Sequence, residues 1–355
     1  MPIVKSNAGL RVLVTGGNGF IGIWVVRFLL EQGYTVLGAL RSLDRGKKVR
    51  EYFAPYGDKV QWLVVEDITK ASSEGAFDDA VTKVDAIIHM ASPANVFSAE
   101  PIDFVKVAVD GTTSILRSAV KFGTQVKRVV VTSSCAAVVD RSVKQPAIYN
   151  EENWGDEVIN VPPGKKAEDL HPIFHYTVSK VLAEKAVWKL YNDHKAEIGW
   201  DLVIINPPLV LGPTLLDPKT PADLNASLVR WWDMTSSEKS DDDLKSTYAY
   251  VDVRDVATTH VLALSTDEAG GERIITSSGA ITYQETGDVL YTLRPELFAS
   301  GIIHRGNPDV DKTVSINYDP AKRKRIFGDT YRTKEVIFLD TLADFQARGW
   351  LEPRK

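Results

Sequence analysis

The sequence predicts an α/β fold built on a doubly wound parallel sheet, and three observations support this prediction. Short runs of β-branched and other apolar residues alternate with longer segments whose apolar residues recur at helical spacing. A glycine-rich turn separates the first strand from the first helix. After residue 212 the regular alternation stops, which indicates a smaller C-terminal lobe. Alternating strands and helices form parallel sheets with right-handed crossovers.

The glycine-rich turn predicts a dinucleotide site. Its sequence is TGGNGFIG, between a strand predicted at residues 10–14 and a helix predicted at residues 21–30, and Gly16, Gly19 and Gly22 are evenly spaced in it. Glycine is needed where the chain turns sharply, approaches a pyrophosphate and packs a helix tightly on the sheet. The free N–H groups at the helix N-terminus then face the phosphates. The alternative is a glycine-rich turn that binds nothing.

The end of the second predicted strand, residues 34–40, indicates which cofactor is used. Arg41 follows this strand, and residues 39–42 contain no acidic side chain. An acidic residue there would bind the ribose 2′-hydroxyl of NAD, whereas arginine accepts the 2′-phosphate of NADP. Lys48 adds positive charge, although Asp44 opposes it. We therefore expect NADP(H); the alternative is a solvated basic loop.

The remaining elements follow the same alternation. We predict strands at residues 60–65, 85–89, 128–131, 202–205 and 273–276, and helices at residues 105–122, 180–191 and 250–264. The segment between residues 138 and 175 is rich in Pro, Asn, Glu and Lys and is predicted to be long and irregular.

This order predicts two domains. Residues 1–211 and 249–278 are assigned to a nucleotide-binding domain. Residues 212–248 and 279–355 are assigned to a smaller substrate-binding lobe.

Composition excludes several classes of partner. The chain has 355 residues and a net charge of −5, which gives no reason to expect nucleic acid or an anionic membrane. The basic run at residues 322–325 lies between Asp319-Pro320 and Gly328, a helix start and stop, so it is interpreted as the solvated face of a short helix. The alternative is a nuclear-targeting or nucleic-acid-binding patch.

The single cysteine, Cys135, allows no intramolecular disulfide and no cysteine zinc site, and we expect no metal. Neither a signal peptide nor a membrane-spanning run is found in the sequence, so a cytoplasmic protein is expected.

Three polar side chains predict carbonyl chemistry. Tyr176 and Lys180 are four residues apart at the start of a predicted helix and therefore share a face. A phenol is a poor acid at neutral pH unless its anion is stabilised, and an ammonium one turn away can do this. Ser134, after the fifth strand, can hold a carbonyl oxygen. The alternative for Tyr176 and Lys180 is an ordinary exposed helix pair.

In combination these motifs resemble the extended short-chain dehydrogenases/reductases, which have a Rossmann-type fold. The motifs that carry the resemblance are TGGNGFIG (15–22), TSS (132–134), YTVSK (176–180), NPP (206–208) and YVDVRDVA (250–257). HMASP (89–93), VVVTSS (129–134) and NEENW (150–154) are similar to the dihydroflavonol reductase-like branch, and within it to fungal NADPH-dependent aldehyde and ketone reductases, including methylglyoxal reductases.

The resemblance implies NADPH-dependent reduction of aldehydes, ketones or keto esters, with Ser134, Tyr176 and Lys180 as catalytic residues. It implies contacts from Arg41 and Lys48 to the 2′-phosphate, from Asp67 and Ile68 to the adenine, and from Pro207 and Val210 to the nicotinamide. The complete expected cofactor-binding set is Gly16, Gly19, Phe20, Ile21, Gly22, Arg41, Lys48, Asp67, Ile68, Ala91, Ser92, Tyr176, Lys180, Pro207 and Val210.

For a small-molecule carbonyl substrate we expect contacts from Phe97, Ser134, Phe174 and Tyr176, with Trp231 and Trp232 as further candidate walls. The alternative for Phe97, Phe174 and the two tryptophans is a place in the core. Plant dihydroflavonol reductases, which this chain resembles, hold a polar residue shortly after the serine pair for the flavonoid hydroxyls. Residues 135–139 are apolar here, so the resemblance does not imply a flavonoid substrate. The protein is expected to be a monomer or a homodimer.

Two alternatives remain open at this point. The first is another extended enzyme, such as a sterol dehydrogenase or a nucleotide-sugar epimerase, although an epimerase favours an acidic residue in place of Arg41. The second is a non-enzymatic NADP-binding sensor, for which an intact Ser134, Tyr176 and Lys180 set is not needed.

Overall fold

A computed structural model gives the fold and describes residues 9–69, 75–92, 101–159, 172–299 and 301–352. The chain divides into two compact units. The first contains Met1–Ser142, Glu151–Asn206 and Ala257–Ile274; the second contains Val143–Asn150, Pro207–Val256 and Ile275–Lys355.

The described elements follow the expected alternation in the first half of the chain. The strands are β1 (Arg11–Thr15), β2 (Thr35–Leu40), β3 (Val60–Val64), β4 (Ala86–His89), β5 (Arg128–Thr132), β6 (Ala147–Tyr149), β7 (Asp201–Asn206), β8 (Leu209–Leu211), β9 (Thr247–Asp252), β10 (Arg273–Ile275), β11 (Gly279–Thr282) and β12 (Ile316–Tyr318). The α-helices are α1 (Phe20–Glu31), α2 (Lys47–Phe53), α3 (Asp78–Val81), α4 (Pro101–Phe122), α5 (Pro172–His194), α6 (Ala226–Ser236), α7 (Asp241–Leu244), α8 (Val253–Ser265), α9 (Tyr283–Leu293), α10 (Glu296–Ala299), α11 (Ala321–Phe327) and α12 (Lys334–Ala347).

The first unit is organised around a seven-stranded sheet in the order β10-β7-β5-β4-β1-β2-β3. The pairs β1–β2, β1–β4, β2–β3, β4–β5 and β5–β7 are all parallel. The chain thus starts near the middle of the sheet and adds strands on both sides, which confirms the predicted Rossmann-type fold class.

Apolar side chains from neighbouring strands and helices form the core of this unit. Leu13, Ile87 and Val129 point from adjacent strands into one cluster, where they meet Ile115 of α4 and Val187 of α5. Both faces of a parallel sheet are covered, so its strands are continuous apolar runs rather than alternating ones. This packing holds α5 against the sheet.

The second unit has its own small sheets. One has the order β11-β9-β8, with β8–β9 parallel and β9–β11 antiparallel, and the other pairs β6 with β12. Trp231 is fully buried here, with ring centroids 5.7 Å from Phe338 and 6.1 Å from Phe345. Trp231 is therefore a core residue of this unit.

The helix predicted at residues 250–264 begins later than expected. Residues 250–252 belong to β9, which pairs on both sides and so buries its alternating aromatic side chains. Asp252 then accepts the backbone N–H of Arg254 at 2.8 Å, which caps the first turn of α8. The cap places the helix start at Val253.

The observed units and the predicted domains have different bounds. Residues 207–211, 249–256 and 143–150 belong to the second unit, because β8 and β9 pair with each other and β6 pairs with β12. No sequence pattern indicated these pairings.

The basic run is only partly a solvated helix face. It lies in α11 as expected, but Arg323 is fully buried, donates to the Gly328 carbonyl oxygen at 2.6 Å and stacks 4.2 Å from the Tyr331 ring centroid. Lys324 and Arg325 are exposed.

Among the described helices, none is long and apolar enough to cross a membrane.

A buried ion pair joins the starts of β5 and β7. Arg128 is fully buried, and its guanidinium donates to both carboxylate oxygens of Asp201 at 2.6 and 2.7 Å. It also donates to the carbonyl oxygens of Ala263 and Thr266, both at 2.6 Å. The arginine thus connects two strands to the end of α8.

We expect Asp201→Asn to lower the free energy of unfolding by about 3–5 kcal/mol, since it leaves the Arg128 charge buried without its counter-ion. Urea denaturation of both proteins measures the difference. Asp193→Asn is the matched control, because Asp193 forms a surface pair with Lys189 and its loss should cost under about 0.5 kcal/mol. Equal effects of the two substitutions would contradict a special role for the buried pair.

Candidate active site

The turn between β1 and α1 has no room for side chains at two glycines. Gly16 has a φ of +71°, and a Cβ there would lie 2.9 Å from the backbone nitrogen of Ala91. A Cβ on Gly22 would clash with the carbonyl oxygen of Gly16. Phe20 and Ile21, which lie between Gly19 and Gly22, are the first two residues of α1. Gly16 and Gly19 line a cavity in front of the α1 N-terminus, as a phosphate-binding turn requires.

This turn forms one wall of a cavity of about 570 Å³ in the first unit, a size typical of a small-molecule pocket. The cavity lies where β1, β2, β3 and β4 end. Its lining residues are Thr15, Gly16, Asn18, Gly19, Ala39, Leu40, Arg41, Arg45, Val65, Glu66, Asp67, Ile68, Thr69, Met90, Ala91, Ser92 and Val107. The glycine cradle and this strand-end position fit a dinucleotide.

Two arginines contribute the positive charge of the cavity wall. Arg41 and Arg45 both line it, whereas the described lining does not include Lys48. The sequence predicts Arg41 and Lys48 as the basic residues of this site and gives no signal for Arg45. It lies four positions beyond Arg41, in the turn before α2.

Asp67 and Ile68 also line the cavity. The Asp67 carboxylate accepts both the backbone N–H of Thr69 at 2.8 Å and its hydroxyl at 2.6 Å, which closes a tight turn. A Cβ added to Gly111 of α4 would lie 3.0 Å from the Ile68 side chain, so Ile68 packs closely against that helix. Both residues are held in place by local contacts.

A buried hydrogen-bond chain ties the β4 end to the glycine turn. The hydroxyl oxygen of Thr15 accepts from the backbone nitrogens of Met90 at 3.2 Å and Ala91 at 3.1 Å. Its own proton is therefore donated to Nδ1 of His89, 2.8 Å away. His89 is neutral with its proton on Nε2, and burial, assisted by the nearby charge of Lys180, lowers its pKa to about 3.

Helix α5 brings Tyr176 and Lys180 onto one face, as predicted. The Lys180 ammonium lies 5.6 Å from the Tyr176 ring centroid. Lys180 Nζ also donates to the Ser92 hydroxyl at 3.3 Å, and Ser92 lines the cavity. This contact places the Lys180 side chain at the Ser92 end of the cavity.

Ser134 follows β5 and is almost fully buried. Its side chain caps a short 3-10 helix at residues 135–137, where Oγ accepts the backbone N–H of Ala136 at 3.1 Å. The hydroxyl proton is thereby left for a further acceptor. The backbone N–H of Ser133 is bonded to the Ile205 carbonyl oxygen at 2.8 Å, so the serine pair is tied to β7.

The other predicted contacts are distributed differently. Phe97 lies outside the described residues. Phe174 packs against a small apolar cluster that includes Val158 and Val181. Pro207 and Val210 are buried in the second unit, and their contacts with the nicotinamide stay predictions. Among the described residues, no group of histidine, cysteine or carboxylate side chains could hold a metal ion.

Comparison with known proteins identifies the family. Residues 12–276 match the model of the NAD dependent epimerase/dehydratase family. The chain belongs to this family. It is 32% identical to ketoreductase azaE of Aspergillus niger, over 91% of this chain and 93% of that protein.

Two further comparisons concern one yeast protein. The chain is 32% identical to the NADPH-dependent methylglyoxal reductase GRE2 of Saccharomyces cerevisiae, over 94% of this chain and 97% of that protein. The crystal structure of yeast methylglyoxal/isovaleraldehyde reductase Gre2 complexed with NADPH superimposes with a TM-score of 0.83 at 31% identity, covering 96% of this chain and 100% of that one. The expected resemblance to fungal reductases is confirmed.

The neutral state of His89 predicts a pH-dependent stability. The unfolded chain protonates this ring near pH ~6.5, whereas the folded protein protonates it only near pH 3. The neutral His89 ring therefore makes its full contribution to the free energy of unfolding above about pH 6.5. This contribution is lost as the pH falls, by up to about 1.4 kcal/mol per pH unit.

We expect His89→Gln to flatten the decline in the free energy of unfolding between pH 7 and pH 5, measured by urea denaturation. His194→Gln, which removes an exposed ring, is the control. An unchanged slope in His89→Gln would contradict the neutral buried ring.

Proposed function

We propose that this chain is an NADPH-dependent carbonyl reductase that converts aldehydes, ketones or keto esters to alcohols, with Ser134, Tyr176 and Lys180 as its catalytic residues. The observation that carries the proposal is the hydrogen bond from Lys180 to Ser92. It joins the face of α5 that presents Tyr176 to the cavity whose glycine turn fits a dinucleotide. Carbonyl reduction with NADPH agrees with the names of the fungal relatives.

The side chains have separate roles in the proposed reaction. NADPH, when bound, supplies a hydride for the carbonyl carbon. Ser134 donates its hydroxyl proton in a hydrogen bond to the carbonyl oxygen and so orients it. Tyr176 transfers its phenolic proton to that oxygen, which completes the alcohol. The Lys180 ammonium, close to the ring, stabilises the phenolate that remains.

The charge on the cavity wall favours NADPH over NADH. Arg41 and Arg45 present two guanidinium groups beside the end of β2, and guanidinium pairs well with phosphate oxygens. An acidic residue, which the ribose of NAD would favour, does not occur at residues 39–42. This also argues against the epimerase alternative.

The intact Ser134, Tyr176 and Lys180 set favours an enzyme over a sensor. A small-molecule carbonyl substrate, a cytoplasmic location and a monomeric or homodimeric state belong to the same proposal. A panel of aldehydes, ketones and keto esters, followed by the loss of NADPH absorbance, identifies the preferred substrate.

We expect Tyr176→Phe to lower kcat by about 10²–10⁴-fold, because the proton donor is lost. NADPH binding, followed by fluorescence titration, should change little. Tyr191→Phe is the matched control: it removes a phenol from the same helix, where Tyr191 packs against Trp188 and Trp200. Near-normal turnover of every substrate by Tyr176→Phe would refute the assigned chemistry, and NADPH binding without any turnover by the parent would favour the sensor.

We expect Arg41→Gln and Arg45→Gln each to raise the KM for NADPH by about tenfold or more, since each loses a charge-assisted hydrogen bond to phosphate. The KM for NADH should stay within about twofold. Lys47→Gln, which removes an exposed charge in α2, controls for a general loss of positive potential. If the KM for NADH rises as much as that for NADPH, the arginines do not bind the 2′-phosphate.

A further inference from the structure

A buried carboxylate, Glu184, lies on the helix that carries Tyr176 and bonds residues next to Ser134. Glu184 lies one helical turn after Lys180 and two turns after Tyr176, so all three project from neighbouring positions on α5. Its side chain is 0% exposed. A carboxylate in such a place must be held by hydrogen bonds and an opposite charge.

The donors to Glu184 come from three adjacent strands of the sheet. Oε2 accepts from the Ser133 hydroxyl at 2.5 Å and from Asn206 Nδ2 at 2.8 Å, and Oε1 accepts from Arg273 Nε at 2.5 Å. Ser133 directly follows β5, Asn206 ends β7 and Arg273 begins β10. These are neighbours in the order β10-β7-β5. The Glu184 side chain is thus hydrogen-bonded to residues from all three of these strands or their ends.

Arg273 is itself held in a fixed orientation. Its Nη1 donates to the carbonyl oxygens of Glu151 at 2.6 Å and Asn153 at 2.9 Å, and its guanidinium stacks 3.7 Å from the Trp154 ring centroid. The arginine therefore has a single geometry in which it can meet Glu184. Removal of the carboxylate charge would leave this cation buried without its counter-ion.

The network reaches the catalytic serine by two routes. Ser133, bonded through its side chain to Glu184, is the residue before Ser134. Asn206 Nδ2, which bonds Glu184, also donates to the main-chain carbonyl oxygen of Ser134 at 3.1 Å. The Ser134 backbone is thus fixed to the helix that carries Tyr176 and Lys180.

We infer that Glu184, held by Arg273, is a positioning residue that sets the Ser134 hydroxyl relative to the Tyr176 phenol. This inference rests on the proposed catalytic roles of those two residues. Ser133, Glu184, Asn206 and Arg273 are absent from the described lining of the dinucleotide cavity. Loosening the network should therefore slow the chemical step and leave cofactor binding largely intact.

The test compares Glu184→Gln with the parent enzyme. The amide keeps the shape of the side chain but loses the charge and offers an N–H to partners that are themselves donors. We expect kcat, expressed per NADPH-binding site counted by fluorescence titration, to fall about 10–100-fold. The Kd for NADPH should stay within about threefold. Counting binding sites excludes unfolded protein, so a purely structural role would leave kcat per site unchanged.

Two further variants keep the test decisive. Ser133→Ala removes one hydrogen bond to Glu184 but keeps the ion pair with Arg273, so we expect it to perturb folding less than Glu184→Gln. It should lower kcat per site by about 5–10-fold. Asp193→Asn makes the same carboxylate-to-amide change at an exposed position on α5 and should have no effect.

Ser134→Ala and Tyr176→Phe separate failure of the positioning role from failure of the proposed function. If both collapse turnover while Glu184→Gln and Ser133→Ala stay within about twofold of the parent, the positioning role is refuted and the reductase stands. If Ser134→Ala and Tyr176→Phe turn over normally, the catalytic assignment and the positioning role are refuted together.

Discussion

The close approach of three backbone segments at the β1–α1 turn constrains the rest of the proposed cofactor site. Gly16 has no space for a Cβ because the chain after β4 lies against it, and Gly22 has none because α1 packs onto the turn itself. Thr15 then bonds that same segment through two backbone N–H groups. This wall of the cavity is therefore formed by close backbone packing, and that packing also fixes where the lining side chains lie.

Two buried ion pairs hold the strands β5, β7 and β10 in place. Arg128 with Asp201 and Arg273 with Glu184 are two ion pairs in the first unit, each with further hydrogen bonds to main-chain carbonyl oxygens. Such pairs contribute little net stability compared with apolar packing, but they tolerate few alternative arrangements. The Arg128 pair holds the starts of β5 and β7. The Glu184 pair is bonded to Ser133 and Asn206 where these strands end, beside the proposed catalytic serine.

Helix α5 combines these constraints. Its apolar side packs into the core through Val187, and its polar side carries Tyr176, Lys180 and Glu184 at successive turns. Lys180 reaches Ser92 at the cofactor cavity, and Glu184 reaches the strand ends beside Ser134. A single rigid helix thus relates the proposed proton donor to both the cofactor and the serine, which is the kind of preorganisation that carbonyl reduction requires.

The sequence by itself determined the features that depend on local spacing. Strand and helix periodicity, the three glycines, Arg41 after β2 and the four-residue step from Tyr176 to Lys180 are all readable from neighbouring residues, and they sufficed for the fold class and for the expected cofactor and chemistry. The tertiary structure decided what depends on contacts between distant segments. The pairing of β8 with β9, the burial of Arg323, the neutral form of His89 and the meeting of Glu184 with Ser133, Asn206 and Arg273 arise only when the folded chain brings these groups together and removes them from water. No local pattern encodes such features, because most of these partners lie dozens of positions away along the chain. Arg323 has nearby partners, Gly328 and Tyr331, but whether its side chain is buried depends on the folded structure around it.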